Sequence, residues 1–92
     1  MTAASLPERM RALLESAFAP CELHIRDDSG QHVGHAGTTE GGHYQVWIRS
    51  PRFAGMAPLA RHRAVYATLA ALMGNGIHAL SLQTLAPDET SV

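Results

Sequence analysis

The chain has 92 residues, 46% of them apolar, and a formal net charge of −1, enough for one packed core with no length left for a second. All 7 basic residues are Arg and they form no dense basic stripe, so strong nonspecific binding to nucleic acid is not implied. The single cysteine, Cys21, excludes an internal disulfide and any four-cysteine zinc or iron–sulfur site built by this chain alone.

Ser5 followed by Glu8 has the spacing of a capping box, and Leu6, Met10, Leu13, Leu14, Ala17 and Phe18 recur on one helical face. This predicts an amphipathic helix ending near Pro20. Met1 to Arg11 is then a charged helix start and not a signal sequence, and no apolar run approaches the roughly 20 residues that cross a bilayer, so a cytoplasmic location is expected. From Cys21 to Arg26 the residues alternate, with Cys21, Leu23 and Ile25 on one face and Glu22, His24 and Arg26 on the other. That pattern predicts a half-buried strand in which Cys21 is a buried, inert thiol without catalytic use. A second alternating run sets Tyr44, Val46 and Ile48 against His43, Gln45, Trp47 and Arg49, and the two strands are expected to pair as a hairpin. Their connection, Asp27 to Gly42, is too long for a tight turn and holds Gly30, Gly34, Gly37, Gly41 and Gly42.

After Pro51, Arg52 to Ala57 reads as a turn or short helix. A second long helix is predicted from Pro58, with Val65, Leu69, Leu72 and Met73 on one face and Gly74 to Gly76 ending it. Ile77 to Leu85 is apolar and too short for another typical helix, which predicts a third strand with Leu80 and Leu82 facing the core. Pro87 opens an acidic tail, residues 87–92, expected to fray, so the core of a single domain over 1–92 should span about 5–86. The order α-β-β-α-β predicts an α+β fold: a three-stranded sheet with the helices packed on one face and the other face open.

The unusual feature is six histidines, at 24, 32, 35, 43, 62 and 78. His78 lies in Gly76-Ile77-His78-Ala79-Leu80, preceded by Phe53-Ala-Gly-Met-Ala-Pro-Leu-Ala-Arg61-His62-Arg63-Ala-Val65-Tyr66. Upstream stand Arg26-Asp27-Asp28-Ser29, Gly34-His35-Ala36-Gly37 and Gly42-His43-Tyr44. From Leu6 to Glu89 this ordered set resembles the BolA-like proteins. The resemblance implies a class II KH-like fold and association with a monothiol glutaredoxin, in which a bridging [2Fe-2S] cluster, shared with glutathione, is held partly by histidine of this chain. Imidazole can replace thiolate on one iron, as in Rieske centres, and a cluster held that way suits transfer or sensing.

On that resemblance His78 matches the family histidine and is the first metal ligand. Read without it, His78 merely opens the third strand on the parity of Leu80 and Leu82 and satisfies its ring by a local hydrogen bond. The resemblance also expects a second ligand from the loop between the first two strands, where some members carry Cys; this chain offers His32 and His35. His32 stands at the variable ligand position and His35 within the Gly-His-Ala-Gly pattern, so His32 is preferred. A His-x-x-His on a glycine-rich loop equally fits two solvated imidazoles. His43 is a candidate for the supporting shell of the same site.

Four of the 7 arginines, Arg49, Arg52, Arg61 and Arg63, fall within fifteen positions beside His62. They could meet a glutaredoxin partner or glutathione carboxylates, or serve a DNA-binding transcriptional regulator as some family members do; equally, Arg61 or Arg63 could brace the fold through carbonyl bonds. Gly34-His35-Ala36-Gly37 has the letters of a KH clamp, but it lies between strands where that clamp joins two helices. Ser29, Asp28 and His32 would crowd a triad into one loop, so no enzymatic activity is expected. Alone, the chain is expected to be a monomer or weak homodimer without membrane association.

Overall fold

The computed structural model describes residues 4–28 and 42–90. Helix α1, Leu6–Phe18, starts where the sequence says it should. Ser5 Oγ accepts from the Glu8 N–H at 3.3 Å, and the Glu8 carboxylate accepts from the Ser5 N–H at 2.7 Å, satisfying two donors that a helix start leaves unmet. Met10, Leu14 and Phe18, spaced by four, are its buried stripe; Leu13, expected on that face, lies at its margin and is 38% exposed. The helix ends at Ala19, which adopts the left-handed conformation (φ 44°) before Pro20.

Strands β1, Glu22–Asp27, and β2, Gly42–Arg49, pair antiparallel, with Leu23 opposite Ile48 and Ile25 opposite Val46. Cys21 departs from expectation. The strand begins one residue after it, and Cys21 is exposed, its thiol donating to the Arg49 carbonyl at 3.4 Å. Strand parity assigned it a face, but Cys21 precedes the strand and that parity does not extend to it.

Strand β3, Ile77–Leu85, runs parallel to β2, so β2 is central and the sheet order is β1-β2-β3. A parallel neighbour requires a crossover, supplied by helix α2, Pro58–Thr68. The expected long helix is broken: α2 stops at Thr68 and Ala70–Leu72 continues as a 3₁₀ turn, which still buries Leu69 and Leu72. Gly74 and Gly76, at φ 80° and 130°, then turn the chain into β3. A Cβ at Gly76 would meet Leu6 Cδ2 at 2.8 Å, a side-chain end that can give way, so the positive φ is the stronger reason for glycine there. The turn expected after Pro51 is a 3₁₀ turn, Pro51–Phe53, which sinks Phe53 into the core against Phe18 at a ring separation of 5.0 Å.

The core lies between the helices and one sheet face, where Met10, Leu14, Phe53, Val65 and Leu69 meet Tyr44, Val46 and Ile48. Helix side chains also reach both outer strands. Arg11 donates to the Leu23 carbonyl at 3.1 Å on β1, and Tyr66 donates to the Leu80 carbonyl at 2.9 Å on β3. These contacts occupy carbonyls that an edge strand would otherwise offer to another chain.

The tail does not fray where expected. Ala86 is buried, Arg49 donates to the carbonyls of Ala86, Pro87 and Glu89, and Arg61 donates to the Glu89 carboxylate at 2.9 Å. Two arginines therefore anchor the segment as far as Glu89. Their charges and donors override the low propensity of a Pro-Asp-Glu sequence for regular structure.

Candidate functional site

The uncovered sheet face carries Glu22, His24 and Arg26 from β1, and His43, Gln45, Trp47 and Arg49 from β2. Its most chemically distinct end is where β2 begins. The register slips by one residue there: Gly42 pairs with Ile77, but His43 pairs with Ala79. His78 is the extra residue of this bulge. Counting from Leu80 and Leu82 by strand parity placed His78 toward the core. The bulge reverses that, leaving Ile77 1% exposed and His78 on the surface.

The consequence is a histidine pair. The rings of His43 and His78 have centroids 5.4 Å apart at an interplanar angle of 34°. Both residues sit where the long connection joins the sheet. Asp28 N donates to the His43 carbonyl and Gly42 N to the Gly76 carbonyl, each at 2.7 Å, so both ends of that connection are pinned beside the pair. His32 and His35 lie outside the described residues. Among the described residues, no group of three or more His, Cys, Asp or Glu side chains is placed to hold a metal ion.

Cys21 is remote from this end, as its N–H and thiol both bond the Arg49 carbonyl at the far end of β2. Arg49 is six positions along the strand from His43, about 20 Å at the rise of a strand.

The arginine cluster does not form one surface. Arg61 is 6% exposed, and its guanidinium donates to the carbonyls of Met56 at 2.9 Å and Thr84 at 3.2 Å as well as to Glu89. It braces the fold and is withdrawn from any partner surface. Its bonds to the Glu89 carboxylate raise its own pKa and, with the Ala86 N–H, hold that carboxyl down at about 2. Arg49 is likewise engaged, by Glu22 at 2.8 Å and by the tail carbonyls, with its guanidinium 5.1 Å from the centre of the Trp47 ring. Arg52 and Arg63 are exposed, and His62 is half-buried.

A second feature of the open face had no site signal in the sequence. His24 and Trp47 are cross-strand partners with ring centroids 5.4 Å apart, and they border a depression of about 410 Å³ that extends over Gln45 and Ser81. Alternation alone placed His24 and Trp47 on this face; only the pairing register makes them neighbours.

Fold and site together define an α+β protein of two layers, with one sheet face covered by helices and the other, among the described residues, without a helix over it and ending in the exposed His78 beside the half-buried His43. The sequence matches the BolA-like protein family over residues 14–89. BolA-like protein 1 of Homo sapiens is 41% identical over 78 residues, 85% of this chain, and the DNA-binding transcriptional regulator BolA of Escherichia coli (strain K12) is 40% identical over 77 residues, 84% of this chain. The structure of BolA1 from Arabidopsis thaliana superposes with a TM-score of 0.84 at 39% identity, covering 98% of this chain and 100% of that one. The chain belongs to the BolA-like family. It spans little more than half of the human relative, 56%, and 71% of the Escherichia coli one. None of these three is named for an enzymatic activity. Among the described residues no helix is long and apolar enough to cross a membrane.

Proposed function

We propose that this chain is an adaptor for a monothiol glutaredoxin, lending histidine to a [2Fe-2S] cluster that the two proteins share with glutathione. The observation that carries the reading is the bulge that brings His78 out beside His43 at the foot of the long connection. His78 is the first ligand and His43 its support. The second ligand comes from His32 or His35: four residues beyond Asp28, His32 is tethered by covalent geometry within about 14 Å of it.

The donor set fits a shared cluster better than an autonomous one. Two neighbouring imidazoles are too few for two irons, and the only thiol of the chain is at the other end of β2, so the thiolates must come from the partner. Bound there, the cluster would supply exchangeable iron and sulfide for delivery or sensing. The contribution of this chain is to present nitrogen ligands that can also be released. Membership of the BolA-like family supports the same reading.

The test is a titration of cluster-loaded monothiol glutaredoxin with this protein, followed by visible absorption and circular dichroism. A saturable change at one-to-one stoichiometry is expected, lost with His78→Ala and weakened with His43→Ala. Spectra that respond to His78→Ala as to the wild type would overturn the ligand assignment.

A second reading, a DNA-binding regulator, rests on the name of the Escherichia coli relative. Of the four clustered arginines, Arg61 and Arg49 are committed within the fold, and Arg52 and Arg63 remain exposed. Two phosphate contacts would give a slope of log affinity against log salt of about −2, which a salt series on duplex DNA would measure.

A further inference from the structure

Helix α2 inverts the usual division of a surface helix. It buries Arg61 with Val65, while its outward face is Leu59, Ala60, Arg63, Tyr66 and Ala67, all exposed. At about 100° per residue, Leu59, Arg63 and Tyr66 fall within about 60° of one another, a stripe two turns or about 10 Å long. Two of the three large apolar side chains exposed among the described residues stand at its ends, Leu59 at 61% and Tyr66 at 38%. One exposed leucine is ordinary, but two anchors on one face, joined by alanine, make a patch. The approach to the helix, Ala54 to Pro58, adds no charged or hydrogen-bonding side chain, and all of it except the half-buried Met56 is exposed.

The patch is held in shape from beneath. The Tyr66 hydroxyl donates to the Leu80 carbonyl, and Arg61, on the buried side of the helix, is bonded to Met56, Thr84 and Glu89. A partner therefore meets a preformed surface, and little ordering opposes the association.

Charge decides what can cover it. No Asp or Glu occurs between Glu40 and Asp88, and Glu89 is committed to Arg61. Arg63, in the middle of the stripe, has no ion-pair partner among the described residues. A second copy is disfavoured, because a two-fold contact centred on this stripe would bring the two copies of Arg63 together. A bilayer is disfavoured, because the guanidinium would have to enter it between the two anchors. Phosphates would use Arg63 and leave Leu59 and Tyr66 without a contact. The complement is a protein surface with an apolar centre and a carboxylate opposite Arg63, which a guanidinium meets with two parallel N–H bonds.

We infer that the outward face of α2 is a docking surface for an acidic amphipathic helix of a partner protein, with Leu59 and Tyr66 as apolar anchors and Arg63 as the carboxylate contact. The surface uses neither His43 nor His78 and stands independently of the cluster reading.

The probe is a synthetic stapled helix of about 18 residues, five turns, with leucine along one face and glutamate flanking it. It would be titrated into the full chain while amide shifts are recorded by NMR, beside the same helix with lysine for glutamate, duplex DNA, and phosphatidylglycerol vesicles. Saturable shifts centred on Leu59, Arg63 and Tyr66 are expected with the glutamate helix alone. Leu59→Ser removes an anchor from an exposed position, so it should keep the wild-type melting temperature and weaken binding about tenfold, the scale of one buried leucine. Arg63→Glu should reverse the preference toward the lysine helix. His78→Ala should bind the glutamate helix as the wild type does, which separates failure here from failure of the cluster reading. Absence of saturable shifts at millimolar peptide, unchanged affinity in folded Leu59→Ser, or shifts of these residues by DNA or vesicles in place of the glutamate helix would overturn the proposal.

Discussion

The guanidinium of Arg61 shows what separates a structural arginine from a binding one. It stands in the segment shared with the family, between residues that face outward, yet it is 6% exposed and directed at two carbonyls and the Glu89 carboxylate. Burying a cation is costly unless it is hydrogen-bonded and paired, and here each of the three guanidinium nitrogens has an acceptor. Glu89 carries the pH-dependence of that arrangement. Its carboxyl titrates at about 2 in the folded protein against an ordinary 4.5, because Arg61 and the Ala86 N–H favour the ionised form. The stabilisation is therefore fully present above pH 4.5 and is lost as pH falls toward 2. Melting temperatures measured between these limits should fall more steeply for the wild type than for Glu89→Gln, which lacks the titrating group and starts less stable at neutral pH. Parallel curves would show that the pair contributes nothing to acid sensitivity.

At the scale of elements, α1 is held by a good start and an imperfect end. Ser5 and Glu8 form the capping box that their spacing announces, but Ala19 occupies a left-handed position that an L side chain adopts at a cost of about 1–2 kcal/mol. Ala19→Gly relieves this, partly offset by the greater freedom glycine has in the unfolded chain, and should raise stability by about 0.5–1 kcal/mol in urea denaturation. A destabilised variant would mean that the Ala19 methyl packs usefully. The third strand makes the opposite point about local patterns. Counting alternate residues back from Leu80 places His78 inward, and no residue in Ile77–Leu85 announces the bulge. The slip belongs to the pairing with β2, where Gly42 has no side chain and its N–H bonds the Gly76 carbonyl. Two strands are needed to define it.

Across the whole molecule, two helices on one face of a three-stranded sheet leave the other face available, and the core must be completed from one side. Phe53 is central to that closure. It reads as part of a family signature in sequence, and in the structure it is fully buried between the end of α1 and the start of α2, against Phe18. Phe53→Ala should therefore cost about 3–5 kcal/mol, measured by chemical denaturation, a large share of the stability of so short a chain. A loss below about 1 kcal/mol would show that the helices close over the gap.

How much of this was legible beforehand depends on the range of the interaction that decides each feature. Alternation in Tyr44 to Ile48, the capping box at Ser5 and the apolar stripe of α1 are local, so the element order and the covered sheet face follow from the sequence by itself. The proposal of His78 as a ligand also starts from the sequence, through the ordered residues shared with the BolA-like family. The exposure of Cys21, the burial of Arg61, the anchoring of Glu89 and the outward turn of His78 were decided only by the tertiary structure. Each depends on a residue at least 23 positions away: Arg49 for Cys21, Thr84 for Arg61, Arg49 and Arg61 for Glu89, and Gly42 and His43 for His78. Periodicity records which face a residue takes relative to its near neighbours. It carries no information about the register between strands or about which distant group will meet a buried charge.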